Sequence, residues 1–130
     1  HLMAPMGLIN DLVYICAPTP LQHGLVAGLQ MDSAYYVSML ADYKTKRDMM
    51  CDALGQAGFK ANRPQGAYYV LADYSALRER FEGFGDDQEA ARSLVKLAGV
   101  GAVAGRSFFQ DPTHGTDSFR FCYAKKFPAL

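Results

Sequence analysis

The 130-residue chain has no tryptophan, only three cysteines and no net charge, thirteen Lys and Arg offsetting thirteen Asp and Glu. A balanced chain lacks the positive field expected of a nucleic-acid or anionic-membrane binder, so neither is an expected partner. Cys16, Cys51 and Cys122 are odd in number and lack C-x-x-C spacing. That argues against a disulfide framework or a zinc site and favours a reducing, cytosolic setting. His23 and His114 lie far apart with no Glu or Cys at ligand spacing, which speaks against a metal centre. No run approaches the roughly 18 apolar residues needed to span a bilayer. The opening "HLMAPM" has no basic stretch leading into a long apolar one, so it is not a signal peptide. Residues 1–5, above all His1-Leu2-Met3, read as a cloning remnant without fixed structure.

What is present is a core. Half the residues are hydrophobic, with eight Phe and eight Tyr, enough for one domain without covalent staples. Apolar spacing in "MGLINDLVYI" predicts a helix over 6–15, and the prolines of "CAPTP" end it. A second helix is predicted from Leu21. Asp32 or Ser33 can cap a long helix over 34–57, with an inward stripe of Tyr36, Leu40, Tyr43, Arg47, Met50 and Leu54. Asp42 and Lys46 are spaced for an ion pair on another face, and Gly58 suits the helix end. "AYYVLAD", 67–73, predicts a strand. Asp86 and Glu89 have capping-box spacing for a helix over 87–98, burying Ala90, Leu94 and Leu97 and closing at Gly99. "VGAV" and "SFRFCYA" predict two further strands.

The expectation is an α+β fold: a small antiparallel or mixed sheet packed against helices, with a long N-terminal helical segment. Residues 6–33 form that segment and 34–130 the α+β domain. The first thirty residues carry more apolar surface than one small sheet can cover, which points to a missing interface or to self-association.

One residue stands out in the last strand. Period-two alternation sends Phe119, Phe121 and Tyr123 to one face and Ser118, Arg120 and Cys122 to the other. Arg120 thus leaves the aromatic core beside small residues that give a guanidinium room. A structural arginine, salt-bridged or solvated, fits this pattern. So does a planar fork gripping a carboxylate or phosphate. "GVGAVAGRSFF", 99–109, is glycine-rich but has neither phosphate-loop spacing, and reads as a strand leaving by a turn. No Ser-His-Asp or Cys-His arrangement marks a catalytic residue, and Lys125 and Lys126 read as solvated. The methionines of the long helix read as core filling.

Five segments in one order carry a resemblance: "CAPTPLQ" (16–22), "YKTKRDMMCDALGQAGF" (43–59), "PQGAYYVLADYS" (64–75), "AGVGAVAGRSFF" (98–109) and "FRFCYAKK" (119–126). The series resembles the C-terminal part of class I/II aminotransferases, the fold-type-I pyridoxal-phosphate enzymes, especially the aspartate/kynurenine-type subgroup. The resemblance implies a parent enzyme moving an amino group between an amino acid and a 2-oxo acid, as a homodimer. Its large domain would carry the cofactor, and a small domain would close over the substrate. Arg120 falls where the family's strand arginine grips the substrate α-carboxylate, orienting the amine toward the cofactor.

The family's "PGSxF" turn matches "AGRSF" at 104–108, with Ala104 in place of Pro and Arg106 in place of Ser. The family's cofactor lysine precedes "CAPTPLQ" in a Ser-x-x-Lys context, and none of the six lysines here, 44, 46, 60, 96, 125 and 126, has that context. The resemblance therefore implies a C-terminal-domain fragment that holds no pyridoxal phosphate of its own and is inactive alone. Two other readings stay open: a free-standing amino-acid-binding regulatory module, and a β-lyase-type relative of the same fold.

Overall fold

The computed structural model describes residues 2–130; the expectation for His1 lies outside them. Two compact units divide within one continuous helix, between Ser38 and Met39.

The first unit is helical. Helix α1 spans Met3–Tyr14 and α2 spans Thr19–Leu29. Each starts earlier than expected, α1 inside the stretch 1–5 expected to be unstructured. The reason is local: Pro5 and Pro20 sit in first turns, where the N–H that proline lacks has no helical partner anyway. Neither helix buries a residue. Ile9, Leu12, Val13, Leu21 and Leu25 all stand exposed. Helix α3, Ser33–Gln56, opens here under an Asp32 cap, its carboxylate accepting from Ala34 N–H at 2.8 Å. The Tyr36 hydroxyl donates to the Gly28 carbonyl at 2.5 Å.

The second unit contains the sheet. Gly58, at φ +94°, ends α3, and Phe59 N–H bonds back to Leu54 O at 2.9 Å in a Schellman closure. Strands β1 (Lys60–Ala61), β2 (Tyr69–Asp73), β3 (Val103–Ala104) and β4 (Ser118–Cys122) form one sheet in the order β1-β2-β4-β3. Every pairing is antiparallel. The two-residue β1 is too short for a periodic signal, and the sequence reading has no strand there. Helix α4, Asp87–Ala98, begins at the Asp86 cap, whose carboxylate accepts from Gln88 and Glu89 N–H, and closes at left-handed Gly99.

One face of the sheet is the core. Val70, Ala72, Phe119 and Phe121 pack with Cys51 and Leu54 of α3 and with Ala90 and Leu94 of α4. Tyr74 stacks on Phe119 at 4.4 Å between centroids, and Phe59 meets Phe121 edge-on at 5.7 Å. Burying rings of this size stabilises by about 1.5–3 kcal/mol each. Burial also raises the pKa values of the Tyr74 and Tyr123 hydroxyls and the Cys51 thiol.

Three packing expectations need correction. The α3 stripe is half-buried at Tyr43, Arg47 and Met50 and fully buried only at Leu54, while Tyr36 and Leu40 are exposed. Leu97 is also exposed, and the buried face of α4 is Asp87, Ala90 and Leu94. Asp87 can take a core position because Arg106 neutralises it. Lys46 does not pair with Asp42. Its ammonium lies 5.3 Å and 5.0 Å from the ring centroids of Tyr43 and Phe127 instead.

Candidate functional site

The other face of the sheet carries Arg120. In register, Arg120 stands opposite Leu71 of β2 and Val103 of β3, on the face that also takes Tyr69, Cys122, Asp73 and Ser118. The core rings alternate away from it, as the period-two reading expects: Phe119, Phe121 and Tyr123 are buried.

The surroundings of Arg120 differ from expectation. Small neighbours were expected to leave it room. Instead, its Cζ lies 4.0 Å from the Tyr69 ring centroid and 4.2 Å from that of Phe108. Tyr69 reaches it as the cross-strand neighbour of Cys122, one diagonal step away. Phe108 reaches it from the 3-10 turn Gly105–Phe108 that follows β3. The guanidinium is therefore flanked by rings.

Among the described residues, no carboxylate pairs with Arg120. Its Nε is buried and has no hydrogen-bond partner. The residue as a whole is half-buried, so only Nε is withdrawn from solvent. A buried donor left unpaired costs about 1–3 kcal/mol, more when charged. Stacked rings cover the planar faces of a guanidinium and leave its N–H edge for a planar anion.

The turn that presents Phe108 is tightly placed. A Cβ on Gly105 would overlap Ser118 Oγ and the Gly115 and Ser118 carbonyl oxygens, so only glycine lets the turn sit against β4. Ser118 Oγ donates to the Gly115 carbonyl at 2.9 Å across that contact. Arg106, which stands in place of Ser in the family's turn, faces the protein and pairs with Asp86 and Asp87. Those hydrogen bonds hold the Asp86 carboxyl below its ordinary range and raise the Arg106 pKa, Asp87 contributing most to the latter.

A cavity of about 430 Å³ adjoins the Arg120 face, lined by Lys60, Asn62, Leu71, Asp73 and Ser118. Another, of about 490 Å³, lies between α3 and the 64–68 turn. Its guanidinium, Arg47, is already satisfied by the Pro64 carbonyl at 3.2 Å and the Asp48 carboxylate at 2.8 Å. Arg47 already engages the protein through Nε, Nη1 and Nη2, whereas Arg120 Nε has no partner, so the Arg120 face is the stronger candidate. Among the described residues, no group of three or more His, Cys, Asp or Glu could hold a metal ion. No helix of the described residues is long and apolar enough to cross a membrane.

Comparison with known proteins decides the family. The model of "Aminotransferase class I and II" matches residues 4–128. The chain belongs to that family. Within it, a probable aspartate aminotransferase of Methanocaldococcus jannaschii is 31% identical over 128 residues, covering 94% of this chain and 31% of the relative. A methionine aminotransferase of Escherichia coli is 32% identical over 123 residues, covering 95% of this chain and 30% of the relative. A solved E. coli aminotransferase with methionine aminotransferase function superposes with a TM-score of 0.75 at 29% identity, covering 91% of this chain and 29% of that one. The N-succinyldiaminopimelate aminotransferase of Mycobacterium tuberculosis has the same TM-score at 23% identity, a likeness of fold alone, over 92% of this chain and 29% of that one. This aminotransferase-family chain thus spans about a third of the length of these relatives.

Tyr69 and Phe108 were not singled out from sequence. Alternation alone puts Tyr69 on the outer face of β2, and that signal was readable. Its register against β4 was not, and Phe108 lies in a turn with no periodicity.

Proposed function

We propose that this chain is the C-terminal, small domain of a pyridoxal-phosphate-dependent aminotransferase, and that Arg120 binds the α-carboxylate of the amino-acid and 2-oxo-acid substrates. The observation that carries the reading is the guanidinium lying against the Tyr69 and Phe108 rings with a buried Nε lacking a partner. Two parallel N–H···O bonds from such a fork fix both the position and the rotation of a carboxylate. That places the amine of the substrate in one orientation, and orientation is what this chain contributes to rate. The named specificities of the relatives, aspartate, methionine and kynurenine, differ in side chain and share the α-carboxylate. An arginine dedicated to the shared group suits all of them.

Pyridoxal phosphate, when bound, supplies the electron sink for amino transfer. The residues of this chain do not fit its cradle. Five of the six lysines are exposed, and Lys46 is engaged with the Tyr43 and Phe127 rings. In this reading the cofactor is held by the large domain of the parent, and the present chain is inactive alone. The apolar residues of α1 and α2, with none buried, support a covering partner, either that large domain or the second subunit of a homodimer.

The test is a transamination assay on the full-length parent. An L-amino-acid panel with a 2-oxo-acid acceptor is expected to give amino transfer with at least one donor. A folded, cofactor-loaded parent that transfers from none, or that only eliminates the side chain as a β-lyase does, overturns the reading.

A further inference from the structure

Arg106 lies two residues before Phe108 in the 3-10 turn. Its backbone N–H donates to Asp87 Oδ2 at 3.0 Å, its Nε donates to Asp87 Oδ1, and its Nη2 donates to Asp86 Oδ2. Both carboxylates belong to the start of α4. Asp86 is the helix cap and accepts from two backbone N–H groups, while Asp87 is fully buried. A buried carboxylate requires a nearby cation, and Arg106 is the one it has. One residue therefore ties the turn to a rigid helix end by main chain and side chain together.

The far end of the same turn is Phe108. The residue is 43% exposed, so its own burial does little to hold it. The Phe109 N–H bonds back to the Arg106 carbonyl at 3.1 Å, closing the turn around Phe108. The turn is thus held on two sides, to the start of α4 through Arg106 and to β4 through the close approach of Gly105.

We propose that Arg106 is a positioning residue for Arg120. By gripping Asp86 and Asp87 it fixes the turn that lays Phe108 on the guanidinium, keeping the fork in its ligand-ready orientation. The proposal rests on reading Arg120 as the carboxylate clamp. A long side chain held in one rotamer before binding loses less entropy when the carboxylate arrives. The effect belongs to binding, so it should appear in KM more than in kcat.

Two measurements test it. In the chain itself, labelled with ¹⁵N, the Arg120 Nε–H proton sits close to two rings and should resonate upfield of a free arginine. Arg106→Ala is expected to move that signal back downfield, and Arg106→Lys, which keeps the charge, to restore part of the shift. In the full-length enzyme, Arg106→Ala is expected to raise KM for the amino acid roughly three- to thirty-fold, the range of one lost cation–π contact, with a smaller change in kcat. Phe108→Leu leaves the Asp87 pair intact and should reproduce both effects, which keeps the test decisive if Arg106→Ala fails to fold. An unmoved Arg120 signal in the folded variants, or unchanged KM in Phe108→Leu, overturns the proposal. If Arg120→Ala leaves KM unchanged while the Arg106 variants still move the Arg120 signal, the carboxylate reading is what has failed.

Discussion

Replacing Arg120 with alanine in the full-length parent should remove two charge-assisted hydrogen bonds to the substrate carboxylate. Each bond of this kind contributes about 1.5–3 kcal/mol, for a gross loss of about 3–6 kcal/mol. Part of that is returned, because the free protein no longer buries an Nε without a partner. A net loss of about 3–5 kcal/mol agrees with truncating one member of a buried, hydrogen-bonded charge pair. At about 1.4 kcal/mol per factor of ten, kcat/KM should fall about 10²–10⁴-fold, equally for amino-acid and 2-oxo-acid half-reactions. Arg120→Lys keeps the charge and loses both the fork and the planar stack on Tyr69 and Phe108. It should therefore fall between wild type and alanine. The assay is single-turnover spectroscopy of each half-reaction, with cofactor absorbance before substrate as the control for loading. A kcat/KM within a few-fold of wild type, in a loaded Arg120→Ala enzyme, would refute the reasoning.

Other expectations are more local. Phe119→Ala removes a fully buried ring at the centre of the core and should cost about 3–5 kcal/mol, read as a lower urea midpoint; a loss under 1 kcal/mol would contradict the packing described. Asp86 has its pKa lowered from the ordinary 3.8, first by the Arg106 hydrogen bond, so its contribution is present above that value and lost as pH falls through the lower folded-state pKa. The stability gap between wild type and Asp86→Asn should therefore be open at pH 6 and narrow toward pH 2; a gap independent of pH would remove Asp86 from the acid response. Pyridoxal phosphate mixed with the chain alone should give no stoichiometric lysine-linked absorbance band, and the appearance of one would show that this chain holds the cofactor itself.

Much of the fold was legible because its signals are local. Asp86 and Gly99 bracket α4 as a cap and a left-handed stop, and Asp32 and Gly58 do the same for α3. The outward direction of Arg120 followed from alternation along five residues of β4. What was not legible depends on distant partners. Leu97 has helical spacing for burial yet is exposed, and Asp87 occupies the core instead because Arg106 arrives from nineteen residues away. The stack on Arg120 needs the β2–β4 register and the course of the 105–108 turn, and neither leaves a periodic mark in the chain. Thus the arginine was found from its strand, and its two aromatic neighbours only from the structure.

The central claim is that Arg120 receives a carboxylate. The most direct measurement is a crystal structure of the full-length parent with a bound, unreactive amino-acid analogue. The account predicts that the α-carboxylate lies in the plane of the Arg120 guanidinium, joined to it by two N–H···O bonds, with Tyr69 and Phe108 still against it. A carboxylate held by another cation, with Arg120 facing an acidic side chain of the large domain or the second subunit, would contradict it.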